Sequence, residues 1–81
     1  MTIKNFKTLG YSAQVRLELR VDGQCLPLAQ VGNDRIIFDQ PIVLPANQGE
    51  VRVYVDNHVQ TSAVTWKLTT EPQRIFMTKP V

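Results

Sequence analysis

Two stretches of the chain alternate apolar and polar residues without a break, and that period constrains the fold more than any other feature. In the first, Val15, Leu17, Leu19 and Val21 interleave with Gln14, Arg16, Glu18 and Arg20. In the second, Val51, Val53 and Val55 interleave with Glu50, Arg52, Tyr54 and Asp56. A period of two places each set on one face of an extended strand, whereas a helix would scatter the same residues around its circumference. Asp22-Gly23 follows the first stretch at once, and this dipeptide suits the positive φ of a two-residue hairpin turn.

The remaining segments repeat the signature in shorter pieces. Leu26, Leu28 and Ala29 read as a return strand, and Pro27 within it lacks a backbone donor, which assigns it to an edge or a bulge. Gly32-Asn33-Asp34 reads as a turn, and Arg35 to Phe38 as a strand with Ile36 and Phe38 on one face. Pro41 and Pro45 bracket Ile42-Val43-Leu44, a strand or a crossing arm; Ala46 to Gly49 and Asp56-Asn57-His58 read as turns. Val59 to Thr69 reads as a strand with Val64, Trp66 and Leu68 inward, and Arg74 to Thr78 as a last strand carrying Ile75, Phe76 and Met77. No segment has the capped 3.6-residue period of a long helix, and a short one fits only before Ser12.

Short strands with turn signals every 8–12 residues predict an all-β fold, a small antiparallel barrel of six to seven strands with little or no helix. Closure would remove the sheet edges that invite aggregation. The expected core is Val15, Leu17, Leu19, Leu28, Ile36, Phe38, Val51, Val53, Val55, Val64 and Trp66. The expected organisation is a single domain over 1–81, with an N-terminal arm (1–12), the barrel (13–69) and a C-terminal strand or tail (70–81).

Composition narrows the function classes. At 81 residues and 43% hydrophobic the chain has room for one modest core and is too apolar for intrinsic disorder. No apolar run reaches the roughly 18 residues of a membrane helix, so no membrane partner is expected. Nine Lys and Arg against seven Asp and Glu give a net charge of +2, and the basic residues are spread along the chain instead of clustered. Cys25 is the sole cysteine, which excludes an internal disulfide and a cysteine-based zinc site. Together with an N-terminus that has no apolar signal core, this predicts a cytoplasmic protein.

Candidate chemistry is sparse. Cys25 and His58, oriented by Asp56, would make a thiolate–imidazole pair only if they met in space; they read instead as a half-buried cysteine and a solvated turn histidine. Asp34 and Asp39 lack the acidic run of a calcium loop, and Gly10, Gly23, Gly32 and Gly49 stand singly, without a phosphate loop. The expectation is a non-enzymatic chain with no catalytic residue, no cofactor and no metal.

Binding is the remaining class. If the two alternating strands are neighbours, Arg16, Glu18 and Arg20 pair across the ladder with Glu50, Arg52, Tyr54 and Asp56 and form a solvated, self-neutralising face. The same residues could instead be a polar docking surface centred on Tyr54. For nucleic acid, Phe6 and Tyr11 with Lys4 and Lys7 make a basic-aromatic arm, joined by Arg16, Arg20 and Arg35. The other reading of that arm has Phe6 and Leu9 covering an open end of the barrel.

In layout, Val15 to Leu68 resembles the PilZ-domain family, whose small six-stranded barrels often bind cyclic di-GMP. The likeness runs through Val15-Arg16-Leu17 and its hairpin, Ile36-Ile37-Phe38, the proline-flanked Pro41 to Pro45, Gly49, Val51-Arg-Val-Tyr-Val55, and Val64-Thr-Trp66. The family's ligand motifs are not matched. Arg16-Leu-Glu-Leu-Arg20 has the RxxxR spacing but lies inside an alternating strand, not on a flexible lead-in. In the second motif, read from Asn33, Arg35 stands at the serine position and Phe38 at the glycine position. The resemblance therefore implies a degenerate bacterial member that has lost the nucleotide and acts by binding proteins. The expected function is a protein-binding or self-associating module with a candidate surface of Arg16, Arg20, Arg35, Arg52 and Tyr54. Nucleic-acid binding is the alternative, and atypical cyclic-di-GMP reception the third reading.

Overall fold

A computed structural model describes residues 15–81. The N-terminal arm, with Lys4, Phe6, Lys7, Leu9, Tyr11 and the stretch open to a short helix, lies outside the described residues. Among those described there are seven strands and no helix: β1 (Val15–Val21), β2 (Gln24–Pro27), β3 (Gln30–Val31), β4 (Arg35–Ile42), β5 (Gln48–Val55), β6 (His58–Trp66) and β7 (Gln73–Pro80). They form one sheet in the order β2-β1-β5-β6-β7-β4-β3, and each neighbouring pair is antiparallel.

Local chemistry sets the hairpins. Asp22 and Gly23 both adopt positive φ (52° and 79°) and bring Val21 opposite Gln24. Asp56 does the same at φ 53° and, with Asn57, brings Val55 opposite His58. Aspartate and glycine tolerate this left-handed region, which β-branched residues resist. His58 therefore opens β6 instead of closing the turn. Pro27 sits on an outer strand of the sheet, where its missing donor leaves no inner ladder bond unmade.

The chain changes sides of the molecule at two places. At the first, Leu28 N–H donates to the Leu17 carbonyl (3.0 Å) and Ala29 N–H donates to the Ile37 carbonyl (2.7 Å). β2 thus stays on β1 while β3, two residues later, joins β4. At the second, β7 pairs with β4 over Gln73–Met77 and with β6 over Thr78–Pro80. The strands group into two halves, β2-β1-β5-β6 and β3-β4-β7. No ladder joins β2 to β3, so the sheet stops short of the closed barrel that the turn spacing predicts. At the Leu28-Ala29 link the chain passes from β1 to β4 instead of folding back along β2, so β2 and β3 are the two outer strands of the sheet.

One cluster fills the interior: Leu19, Val21, Leu28, Ile36, Phe38, Leu44, Val51, Trp66 and Phe76. Phe38 and Phe76 meet edge to face, with centroids 5.7 Å apart and planes at 85°. Burying such side chains stabilises by roughly 1.5–3 kcal/mol each. Three expected inward residues are exposed. Val15 (57%) and Val55 (38%) are opposite each other at the end of the β1–β5 ladder, beyond the core cluster. Leu68 lies past the end of β6, where the period of two no longer governs its direction. Leu17, Val53 and Val64 are half-buried against the cluster.

Gly49 lies inside β5, not in a turn. A Cβ there would collide with the Arg20 carbonyl oxygen and press on the Trp66 ring (3.2 Å) and Val21 Cβ (3.3 Å). The residue is glycine because strand β1 and the indole approach the backbone too closely for any side chain.

Candidate interaction surfaces

The two alternating strands are neighbours, so their polar residues form one outward face. Register places Arg16 opposite Tyr54, Glu18 opposite Arg52 and Arg20 opposite Glu50. The Arg16 guanidinium carbon sits 4.2 Å from the Tyr54 ring centroid. The Tyr54 hydroxyl donates to Glu18 Oε2 at 2.9 Å, across the diagonal of the ladder. Arg52 Nη2 reaches Glu50 Oε1 at 3.2 Å, and Arg16 Nε lies 4.0 Å from Glu18 Oε1. The Tyr54 phenol, helped by Glu50, holds the Arg52 guanidinium above its ordinary pKa against the opposing effect of desolvation. Exposed ion pairs of this kind contribute at most about 1 kcal/mol each. Each ion pair runs along a single strand, and Tyr54 alone bridges the ladder, through Glu18 and Arg16, so the face neutralises itself in part and not by the expected cross-ladder ion pairs. Arg16 and Arg20 stand four strand positions apart, roughly 13 Å, with the Glu18 carboxylate between them. That spacing sets them poorly for gripping one phosphate.

Arg35 does not join this face. It belongs to β4 in the other half, opposite Met77, where its Nε donates to Asp34 Oδ1 at 3.0 Å. That bond and its charge hold the Asp34 carboxyl below its ordinary pKa. Of the five candidate residues, the structure brings Arg16, Arg20, Arg52 and Tyr54 together and leaves Arg35 apart. Cys25 is exposed, not half-buried. It pairs with Arg20, level with Ala63 of β6, whereas His58 lies at the opposite end of β6, with two strands between. The thiol and the imidazole do not meet. No group of three or more His, Cys, Asp or Glu arranged to hold a metal occurs among the described residues.

A surface that periodicity does not reveal lies along β6. Its side away from β5 is paired only near its end, where Val64, Thr65 and Trp66 face Pro80, Lys79 and Thr78. Val81 N–H adds a bond to the Ala63 carbonyl at 3.2 Å. Among the described residues, no strand pairs with that side of His58–Ser62.

The two-residue hairpin fixes which groups face outward there. Val55 and His58 close it as a pair that exchanges both bonds, and such pairs recur at every second residue. His58, Gln60 and Ser62 therefore direct their N–H and C=O toward β5, while Val59, Thr61 and Ala63 direct theirs away. Trp66 N–H donating to the Asn47 carbonyl (3.0 Å) and Val81 N–H donating to Ala63 both agree with this phase. Beside the edge lies a cleft of about 390 Å³, with Val53, Gln60, Ser62 and Val64 on one side and Val31 and Asn33 on the other. The edge carries no proline, lysine, arginine, aspartate or glutamate from His58 to Trp66.

No helix among the described residues is long and apolar enough to cross a membrane. Comparison with protein-family models, with curated proteins and with solved structures finds no match.

Proposed function

We propose that this protein is a non-enzymatic interaction module that binds an extended segment of protein by adding it as a strand to the free edge of β6. The observation that carries the reading is the edge of His58–Ser62, uncharged and without a pairing strand among the described residues, beside an open cleft. In strand addition, main-chain bonds supply affinity and alternate side chains of the guest supply specificity. Here Val59 and Thr61 would offer the main-chain groups, and Gln60 and Ser62 border the cleft that would take every second guest side chain. The polar face around Tyr54 supports this placement indirectly, because Arg16, Glu18, Glu50 and Arg52 are already engaged with one another and with Tyr54. The exposed, single thiol of Cys25 suits a reducing compartment such as the cytoplasm. The resemblance of the sequence layout to PilZ barrels, with both ligand motifs unmatched, agrees with a module that recognises protein.

The test is an amide NMR titration with a lysine-flanked peptide of seven alternating valines and threonines. Shifts centred on Val59, Thr61 and the cleft are expected. Shifts centred on Arg16, Arg20 and Arg52, or strong binding of oligonucleotides at about 50 mM salt that weakens as salt rises, would overturn the reading in favour of a charged-face ligand.

A further inference from the structure

The free edge has a length and phase that suit one guest in particular. We infer that His58–Ser62 pairs with the same five residues of a second copy, antiparallel about a two-fold axis through Gln60. The inference rests on the strand-addition reading and names its partner.

Self-pairing follows from register. With Gln60 opposite its own copy, Val59 stands opposite Thr61 of the second molecule, Thr61 opposite Val59, and His58 opposite Ser62. Val59 and Thr61 are the residues whose main-chain groups point outward, so both cross-pairs exchange two bonds and the edge gains four. Gln60 falls at the wide, non-hydrogen-bonded position, where its own N–H and C=O remain on β5. Centring the axis one residue later would put Ala63 in a bonding pair, yet its carbonyl already accepts from Val81 N–H. The five-residue edge therefore favours the axis at Gln60.

Side chains fit the same arrangement. Val59, 52% exposed, would lie against the β-branched Thr61 of the partner copy. No charge on the edge meets a like charge across the axis. The other outer strands are poorer templates: β2 carries Pro27, and β3 has two residues. An interface of five residues a side is far below the roughly 20–30 of a standard interface, so the association is weak and concentration-dependent.

Site-directed crosslinking tests the register. In a Cys25→Ser background, Gln60→Cys places the new sulfurs at the wide pair, where Cα atoms are about 4.5 Å apart and a disulfide fits. His58→Cys is the control, since its two copies would be four residues out of register, roughly 13 Å apart. The expected result is disulfide dimer from Gln60→Cys at protein concentrations up to about 1 mM, and little from His58→Cys. Adding Thr61→Pro should weaken association about tenfold or more, because it removes an outward donor from each copy and touches no β5 bond. Gln60→Lys, which sets like charges opposite each other, should act in the same direction and guards against a folding defect in the proline variant.

Equal crosslinking at both positions, or a dimer that forms without crosslinking at Gln60, would overturn the inferred register. A protein that sediments as a monomer at 1 mM would overturn the second copy as guest. In that case the peptide titration decides separately whether the edge accepts strands at all.

Discussion

The last three residues of β6 and its first five are built from similar residue types and meet opposite fates. Val64, Thr65 and Trp66 have β5 on one side and β7 on the other, and Trp66 is buried against Gly49. His58 to Ser62 have β5 on one side and, among the described residues, no strand on the other, and they are exposed throughout. The difference lies in the neighbours. β7 leaves β4 at Met77 and pairs with β6 over Thr78–Pro80, so among the described residues it lies beside the last residues of β6. A strand can thus be core at one end and a docking edge at the other, with no change in its own β-forming character.

That contrast gives graded expectations. The largest effect belongs to the covered half: Trp66→Ala should cost about 3–5 kcal/mol, a large part of what an 81-residue domain has. Gln60→Ala, in the open half, should stay within about 0.5 kcal/mol. Urea unfolding followed by circular dichroism would measure both, and comparable losses would erase the distinction. Trp66→Phe should cost less than the alanine change, partly because the buried indole N–H has no partner among the described residues.

Gly49→Ala comes next. It forces a methyl group toward the Arg20 carbonyl and the Trp66 ring, for about 1–3 kcal/mol of destabilisation. A neutral result in the same assay would mean that β1 and β5 can separate without harm to the covered half. Tyr54→Phe should cost only about 1 kcal/mol, since it removes one hydrogen bond to Glu18 from a partly exposed site. Sedimentation of Tyr54→Phe and Arg52→Glu should match the parent protein; altered self-association would move the docking surface from the edge to the charged face. The smallest expected effect is from cyclic di-GMP. Amide spectra should stay unchanged at Arg16, Arg20 and Arg35, and specific shifts there would restore the nucleotide reading.

The sequence makes much of this fold legible, and particular residues explain where it does not. Alternation in β1 and β5 makes both strands and their two faces legible, because period two suffices for that; that the two are neighbours, in this register, comes from the topology and not from either pattern. Asp22-Gly23 and Asp56-Asn57 located the hairpins through local backbone preference. Leu44 carries no core signal in the sequence, because it sits between prolines in an arm without periodicity and its burial depends on tertiary contacts. Val15 and Val55 obey the alternation but lie beyond the covering strands, a property of strand length across the fold and not of either strand. The free edge was the least legible feature. Which side of β6 remains open depends on where β7 arrives, and nothing in His58–Ser62 encodes that.

The most direct measurement is residue-resolved amide hydrogen exchange at several protein concentrations. In dilute protein, the Val59 and Thr61 amides should exchange quickly while those of Gln60 and Ser62, bonded to β5, exchange slowly. Raising the concentration should protect Val59 and Thr61 and leave Gln60 and Ser62 unchanged. Val59 and Thr61 amides that stay equally fast at every concentration, or that are already protected in dilute protein, would contradict a free edge that pairs with its own copy.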